Sequence, residues 1–190
     1  MVFAIVAFAA WIQAAGATFE SDLWPGEGIP VFEAIATQLS LHELPSLSSK
    51  VARRVTVKPR QRLVFDETRY RTIIPGRLTA LVSANIKGRT LEGVSRLSKA
   101  DYYSSKFPNS TVNVSSGDAI EFLQYRAEGT CFIRVAGKTI DAALCPTHSK
   151  DFRLDVEPRL EWWIHITVDG KPAGWLLVTD TTARVIDRKG

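Results

Sequence analysis

Short apolar runs separated by turn residues fill most of the 190-residue chain, and they limit its possible folds more than any other feature. In the clearest run, residues 162–168, apolar side chains at the even positions alternate with Trp163 and His165. Because successive side chains of a strand point to opposite faces, this alternation predicts a strand with one face in a core. Asp169-Gly170 predicts a hairpin turn after it. Repeated along the chain, the pattern predicts an all-β fold without long helices.

The chain starts with an apolar segment that ends in small residues, among them Ala15 and Ala17. Its length suits a signal peptide core and falls short of the roughly 20 apolar residues of a membrane-spanning helix. We therefore predict that residues 1–17 are a signal peptide and that the processed protein is periplasmic or secreted. The alternative is a buried N-terminal helix of the mature fold. No later apolar stretch approaches membrane length, so no integral membrane segment is expected after cleavage.

The two cysteines, Cys131 and Cys145, both lie in the part predicted to be exported. In an oxidising compartment an isolated pair most simply forms a disulfide, which would stabilise the fold by about 3 kcal/mol for a loop of this size. We therefore predict a Cys131–Cys145 bond. The alternatives are two buried thiols, or one reactive thiol.

Changes in composition divide the chain into segments. Residues 18–35 are rich in proline and glycine and have no regular period, which predicts an extended lead-in. Strand-like runs follow in 36–96 and again in 114–190, where a loop is inserted. The polar and aromatic stretch 97–113 has little period and is predicted to connect two β modules.

Two fragments resemble the bacterial type of Src-homology-3-like domain. Leu39-x-Leu41 followed by Pro45-Ser46 is similar to the family's opening strand and loop. The strand at 162–168, its Asp-Gly turn and then Gly174-Trp175 are similar to the family's closing hairpin. The resemblance implies two small β-barrels in tandem, which serve as exported interaction modules and carry no catalytic residues. A single elaborated domain is the alternative.

Aromatic side chains form the first candidate binding surface. Some of them lie opposite the predicted core face of 162–168, where they would line a shallow groove and stack on a peptide or glycan. The alternative is that they close a barrel core or the interface between the modules. The candidate ligand-binding residues are Trp163, His165, Trp175, Tyr125, Tyr102 and Tyr103.

Basic side chains form the second candidate surface. No acidic residue occurs between Leu44 and Phe65, and an anionic polymer would bind such a stretch. The alternative is a hairpin with a solvated edge, whose charges resist pairing with another strand. The candidate polyanion-binding residues are Lys50, Arg53, Arg54, Lys58, Arg60 and Arg62.

The sequence predicts no catalytic residue, metal site or cofactor. Cys145 lies three residues before His148, but their flanks match no nucleophile motif, and a thiol held in a disulfide cannot attack. The histidines have no paired spacing of the kind that zinc sites use. No glycine-rich phosphate-binding motif precedes a helix.

The net charge of +4 favours anionic partners but is too small to indicate nucleic-acid binding. We therefore expect a non-enzymatic exported protein that recognises a peptidoglycan-type peptide or a protein of the bacterial envelope. One alternative is a structural component of an envelope assembly. The other is a cell-wall hydrolase that uses one of the two cysteines.

Overall fold

The computed structural model describes residues 19–26 and 28–186. The predicted signal peptide, residues 1–17, lies outside the described residues. Strands make up 54% of the described residues and helices 7%, which confirms the all-β class.

The strands are numbered in chain order, and the α-helix is α1 (Lys99–Tyr103). The strands are β1 (Phe19–Ser21), β2 (Phe32–Ala34), β3 (Gln38–His42), β4 (Val51–Thr56), β5 (Arg62–Leu63), β6 (Phe65–Ile74), β7 (Gly76–Ala80), β8 (Ala84–Thr90), β9 (Arg96–Leu97), β10 (Asn109–Val114), β11 (Ala119–Tyr125), β12 (Cys131–Val135), β13 (Lys138–Ala142), β14 (Phe152–Val156), β15 (Arg159–Val168), β16 (Lys171–Leu177) and β17 (Ala183–Val185). Two 3₁₀ turns lie at Ala127–Gly129 and Pro146–His148.

The strands form three sheets, none of which is closed into a barrel. Sheet 1 has the order β4-β3-β16-β15-β6-β1-β9, sheet 2 the order β10-β8-β13-β12-β11-β7-β14, and sheet 3 the order β17-β2-β5. Each sheet contains strands from both sides of the predicted connecting segment 97–113. The sheets therefore do not divide the chain where the sequence pattern placed the boundary.

Two long antiparallel runs explain why the sheets divide elsewhere. The run β6–β7 pairs with the run β14–β15, so that one double ladder passes from sheet 1 into sheet 2. Pro75 and Pro158 interrupt the two runs, and proline cannot donate to a ladder. At this crossing a Cβ on Gly76 would lie 2.5 Å from the Val156 carbonyl oxygen, so only glycine fits the close approach.

The segment 18–35, predicted as an extended lead-in, contains two strands. Strand β1 is hydrogen-bonded on both sides, antiparallel to β6 and parallel to β9, so it is an interior strand of sheet 1. Strand β2 is the middle strand of sheet 3. Each has only three residues, too few to show a two-residue period, and this explains why the pattern predicted no strand.

Sheet 2 curls around a hydrophobic core of its own. Both edge strands contribute to this core, β10 through Val114 and β14 through Phe152. The predicted Cys131–Cys145 disulfide is present, and both cysteines are fully buried there. The disulfide therefore lies within the core of sheet 2.

A second core lies between sheets 1 and 3. It contains Leu39 and Leu41 of β3 and Phe32 of β2, with Ile164 and Ile166 of β15. Trp162 and Val168 pack against it, which confirms the predicted core face of residues 162–168.

A third core joins sheet 1 to sheet 2. The rings of Phe19 and Phe132 lie 5.0 Å apart in it, and both side chains are fully buried. Buried hydrogen bonds cross the same junction: the Ser21 hydroxyl donates to Gln124 Oε1 at 2.8 Å, and the Thr72 hydroxyl donates to the Leu123 carbonyl at 2.9 Å. The two large sheets are therefore one packed unit.

Candidate binding cleft

Three of the predicted ligand-binding residues lie side by side on the face of sheet 1 opposite its hydrophobic core. Trp163 and His165 alternate along β15, and His165 is paired with Trp175 of β16. However, Trp163 is completely buried, and only 7% of Trp175 is exposed. The burial agrees with the alternative in which these aromatic residues pack inside the protein.

Charged side chains bury Trp163. Glu161 accepts hydrogen bonds from Trp163 Nε1 at 2.9 Å and from Arg71 Nη1 at 3.0 Å. Arg71 Nε also donates to Glu20 Oε1 at 2.9 Å, and its Nη1 reaches the carbonyl of Pro45 in the β3–β4 loop. This face of sheet 1 is therefore a layer of ion pairs that links three strands and a loop.

Arg69 continues this layer toward β1. It pairs with Asp22, its Nε lying 3.0 Å from Asp22 Oδ1 without hydrogen-bond alignment, and with Glu20 and Glu67. The pKa of Asp22 lies above its ordinary value, because the effect of burial, which raises it, outweighs the opposite effect of the nearby Arg69 and Arg96. Only 8% of the Arg69 side chain is exposed, so these charges are largely withdrawn from water.

The other three predicted residues lie elsewhere. Tyr125 ends β11 and packs edge-on against Phe122 beside the core of sheet 2. Tyr102 is in α1, with the guanidinium groups of Arg89 and Arg126 at 4.3 and 4.1 Å from its ring. Tyr103, the next residue, is 73% exposed. The six predicted residues therefore do not form one continuous groove.

Tyr102 and Tyr103 do line a cleft of about 820 Å³. Four separate segments form its walls, namely 22–30, 65–68 at the start of β6, α1, and the turn at 126–130. Its size falls within the range of ligand-binding pockets. The cleft thus lies where the start of the described chain meets both sheet 1 and the turns of sheet 2.

Apolar groups at the cleft are unusually open to water. Ile29 is 82% exposed and Tyr103 73%, the two highest values among the large hydrophobic residues of the described chain. Both line the cleft. Trp24, which also lines it, stacks on Trp162 with the rings 4.4 Å apart. A ligand seated here would cover apolar surface that the fold leaves in water.

The charged groups of the cleft are mainly acidic. Asp22 and Glu67 are already paired with arginines of sheet 1, and Asp66 is paired with His165 Nδ1 at 2.8 Å. Glu128 is exposed and forms no ion pair within the described residues. Lys99 and Arg126 are the basic groups of the lining.

Helix α1 carries both tyrosines and is capped at its N-terminus by Ser98. The Ser98 hydroxyl accepts from the Asp101 backbone N–H at 3.0 Å and donates to the Asp101 carboxylate at 2.9 Å. The hydrogen bond from Ser98 and the nearby Lys106 ammonium lower the pKa of Asp101. Because the helix has only five residues, these contacts largely fix the position of its tyrosines.

Three of the six basic candidate residues lie at the edge of sheet 1. Arg53 and Arg54 belong to β4, the outermost strand, and Lys50 directly precedes it. Lys58 and Arg60 follow in the loop after β4, and Arg62 is in β5, an edge strand of sheet 3. All six residues are exposed, and within the described chain none of them forms an ion pair. The structure thus places the basic stretch on the surface, away from the residues that line the cleft.

Sequence patterns did not indicate Trp24, Ile29, Asp66 or Glu128 as cleft residues. They belong to three segments that lie far apart in sequence, and two of these segments lie between strands. The sequence offered one signal, namely that Trp24 and Ile29 are large apolar residues in a stretch that is rich in proline and glycine and has no regular period. This signal does not show which other segments lie beside them.

The described residues contain neither a cluster of side chains suited to a metal ion nor a free thiol. No group of three or more histidine, cysteine, aspartate or glutamate side chains there could hold a metal ion. His42 contacts the ring of Trp163, and His165 pairs with Asp66. Both cysteines are in the disulfide.

No family model matches this chain, and no match was found among curated proteins or solved structures. Within residues 19–26 and 28–186, no helix has the length and apolar character needed to cross a membrane.

Proposed function

We propose that this protein is a non-enzymatic exported binding protein, and that it holds a peptide in the cleft between segment 22–30 and α1. The observation that carries the proposal is the joint position of Ile29 and Tyr103. These are the most exposed large hydrophobic side chains in the described residues, and both face the same cleft. Exposed apolar surface concentrated at a concave site is typical of ligand binding.

The lining indicates the chemistry of the ligand. Trp24 and Tyr103 offer rings for apolar or planar groups, and the Glu128 carboxylate has no cation of its own among the described residues. A peptide that carries an amino group would therefore find both contacts. Peptides of the bacterial cell wall contain such groups, and so do exposed segments of envelope proteins; the first is our leading candidate. The fragments that resemble Src-homology-3-like domains agree with a binding role.

The disulfide supports two further parts of the proposal. A bonded pair is typical of proteins that fold in an oxidising compartment, so it favours the periplasm or the cell exterior. It also leaves no thiolate for a cysteine-dependent hydrolase. A structural role in an envelope assembly is the alternative, and a complex that survives purification would favour it.

Co-sedimentation with purified insoluble peptidoglycan tests the proposal. The variants are Ile29→Ser and Tyr103→Ala, because both side chains are exposed and their loss leaves the cores intact. Leu144→Ser is the matched control, since Leu144 is 63% exposed but does not line the cleft. Variants of the buried Trp163 would instead destabilise the fold, so a loss of sedimentation could not be assigned to the cleft.

We expect the wild type and Leu144→Ser to sediment with the wall at moderate salt, and the two cleft variants to remain in the supernatant. All four proteins have the same net charge, so adhesion of a basic protein to an anionic wall would affect them equally. Equal sedimentation of all four would exclude the cleft as the binding site. If the wild type stays in solution, the wall peptide is not the ligand.

A further inference from the structure

Strand β4 has an open edge. It is the outermost strand of sheet 1 and pairs with β3 on one side only; within the described residues no strand pairs with its other side. Each of its residues except Val55 is exposed. An open strand of six residues is long enough to accept another strand along its length.

The hydrogen-bond pattern shows which backbone groups are available. The Val57 N–H donates to the Thr37 carbonyl at 2.9 Å, so these opposed residues form a hydrogen-bonded pair. In an antiparallel ladder such pairs alternate with non-bonded pairs. In the register of β3 and β4, the next bonded residues of β4 are Val55 and Arg53. Beyond Arg53 a bulge at Ala52 shifts the register, so the regular ladder covers residues 53–56. Within it, the N–H and C=O groups of Arg54 and Thr56 point away from the sheet.

Basic side chains surround these outward backbone groups. Arg53 and Arg54 project from opposite faces of β4, and Lys50 and Lys58 flank its two ends. All four are exposed and unpaired within the described chain. Pairing β4 with β4 of a second copy would bring these like charges together, which is unfavourable. The edge is therefore suited to a strand of opposite charge.

We propose that β4 binds an acidic, extended polypeptide segment as an added edge strand of sheet 1. Outward N–H and C=O groups would supply the affinity through backbone pairing, and the arginines would select for glutamate or aspartate. None of the β4 residues lines the cleft, so this inference is independent of the proposed peptide site. It gives the protein a second interaction surface with a protein partner.

The test compares two anionic probes. One is a fluorescein-labelled ten-residue peptide of alternating glutamate and threonine, which can form a strand, and the other is labelled polyphosphate, which cannot. Thr56→Pro removes one outward N–H without a change of charge, and edge strands tolerate proline at such positions. Thr56→Ser is the matched control that keeps this N–H. The double variant Arg53→Gln/Arg54→Gln removes charge and keeps the backbone.

We expect Thr56→Pro to weaken binding of the peptide about tenfold relative to Thr56→Ser and to leave polyphosphate binding unchanged. The double arginine variant weakens binding of both probes. Hydrogen exchange on the wild type provides a readout that needs no variant: the peptide protects the amides of Arg54 and Thr56.

Two results would overturn the proposal. If Thr56→Pro and Thr56→Ser bind the peptide equally and the outward amides gain no protection, the edge binds polyanions through charge alone. If the wild type does not bind the peptide, or binds it independently of the arginines, β4 is not an acidic-strand site. Neither result bears on the cleft, whose test uses other residues and another ligand.

Discussion

Arg69 and Arg71 lie in the middle of sheet 1, where less than a tenth of each side chain is exposed and each has ion-pair partners. Arg53 and Arg54 lie at the edge of the same sheet, where they are exposed and have no ion pair in the described residues. The difference is one of position in the sheet, because both pairs occur in strands with polar neighbours. The central arginines stabilise the fold through their ion pairs, whereas the edge arginines remain available to bind a partner.

This comparison also explains why Trp163 is buried on a face that the sequence pattern predicted to be open. The ion pairs around Arg71 cover the ring, and the Trp163 Nε1–H donates to one of their carboxylates. Variants of the two regions should therefore differ widely in their effect on stability.

The largest effect is expected for Arg71→Met. The substitution keeps an aliphatic side chain but leaves Glu161 and Glu20 without one of their cations in a poorly hydrated layer. Loss of one partner of a buried ion pair costs about 3–5 kcal/mol. Urea unfolding followed by tryptophan fluorescence measures this loss. A value below about 1 kcal/mol, typical of surface pairs, would mean that water reaches the layer.

A smaller loss is expected for Trp163→Phe. Phenylalanine fills most of the space of the indole ring, but the hydrogen bond from Nε1 to Glu161 is lost. A hydrogen bond to a charged group contributes about 1.5–3 kcal/mol. The same unfolding experiment measures it. In the double variant with Arg71→Met the two losses should not add, because both side chains bond to the same oxygen. Additive losses would show that Trp163 and the ion-pair layer stabilise the protein independently.

A still smaller and pH-dependent loss is expected for Asp101→Asn, an exposed counterpart of the central ion pairs. The pKa of Asp101 is lowered in the folded protein, so its ionised form stabilises the fold above the ordinary carboxyl pKa. This contribution disappears as the pH falls through the lowered pKa. The difference in melting temperature between wild type and variant should therefore be present at pH 7 and disappear in acid. A difference that persists in acid would contradict this explanation.

The smallest effect is expected for Arg54→Gln at the edge. Substitution of an exposed side chain without an ion pair changes stability by no more than about 0.5 kcal/mol. Urea unfolding of this variant beside Arg71→Met makes the comparison direct. A loss of similar size in the two variants would show that the edge arginines also serve the fold.

The all-β class, the core face of residues 162–168 and the disulfide were all predictable from the sequence. Each depends on local information: a two-residue period, or a single pair of cysteines. The burial of Trp163 was not predictable, because a period shows that a strand has two faces but not what covers each of them. Its cover comes from Glu20, Arg71 and Pro45, which the fold brings in from distant segments.

The cleft was predictable only in part. Tyr102 and Tyr103 were candidates, but their neighbours in the cleft, such as Trp24 and Asp66, come from segments that no local pattern connects. Strand pairing was missed for the same reason. Strands β6 and β15 pair although about 90 residues separate them in the chain, a distance that no local motif spans.

That double ladder determines the order in which the protein can fold. Sheet 2 is built from one continuous stretch, 76–156, so its strands can pair as soon as that stretch is available. Sheet 1 can be completed only when β15 and β16, near the end of the described chain, pair with β6 and β3. Closing the long loop between these strands is slow. Until the last strands arrive, β3 can pair only with β4 and β6 only with β1, and the other edges of β3 and β6 stay open. In that interval the protein is most exposed to aggregation and proteolysis.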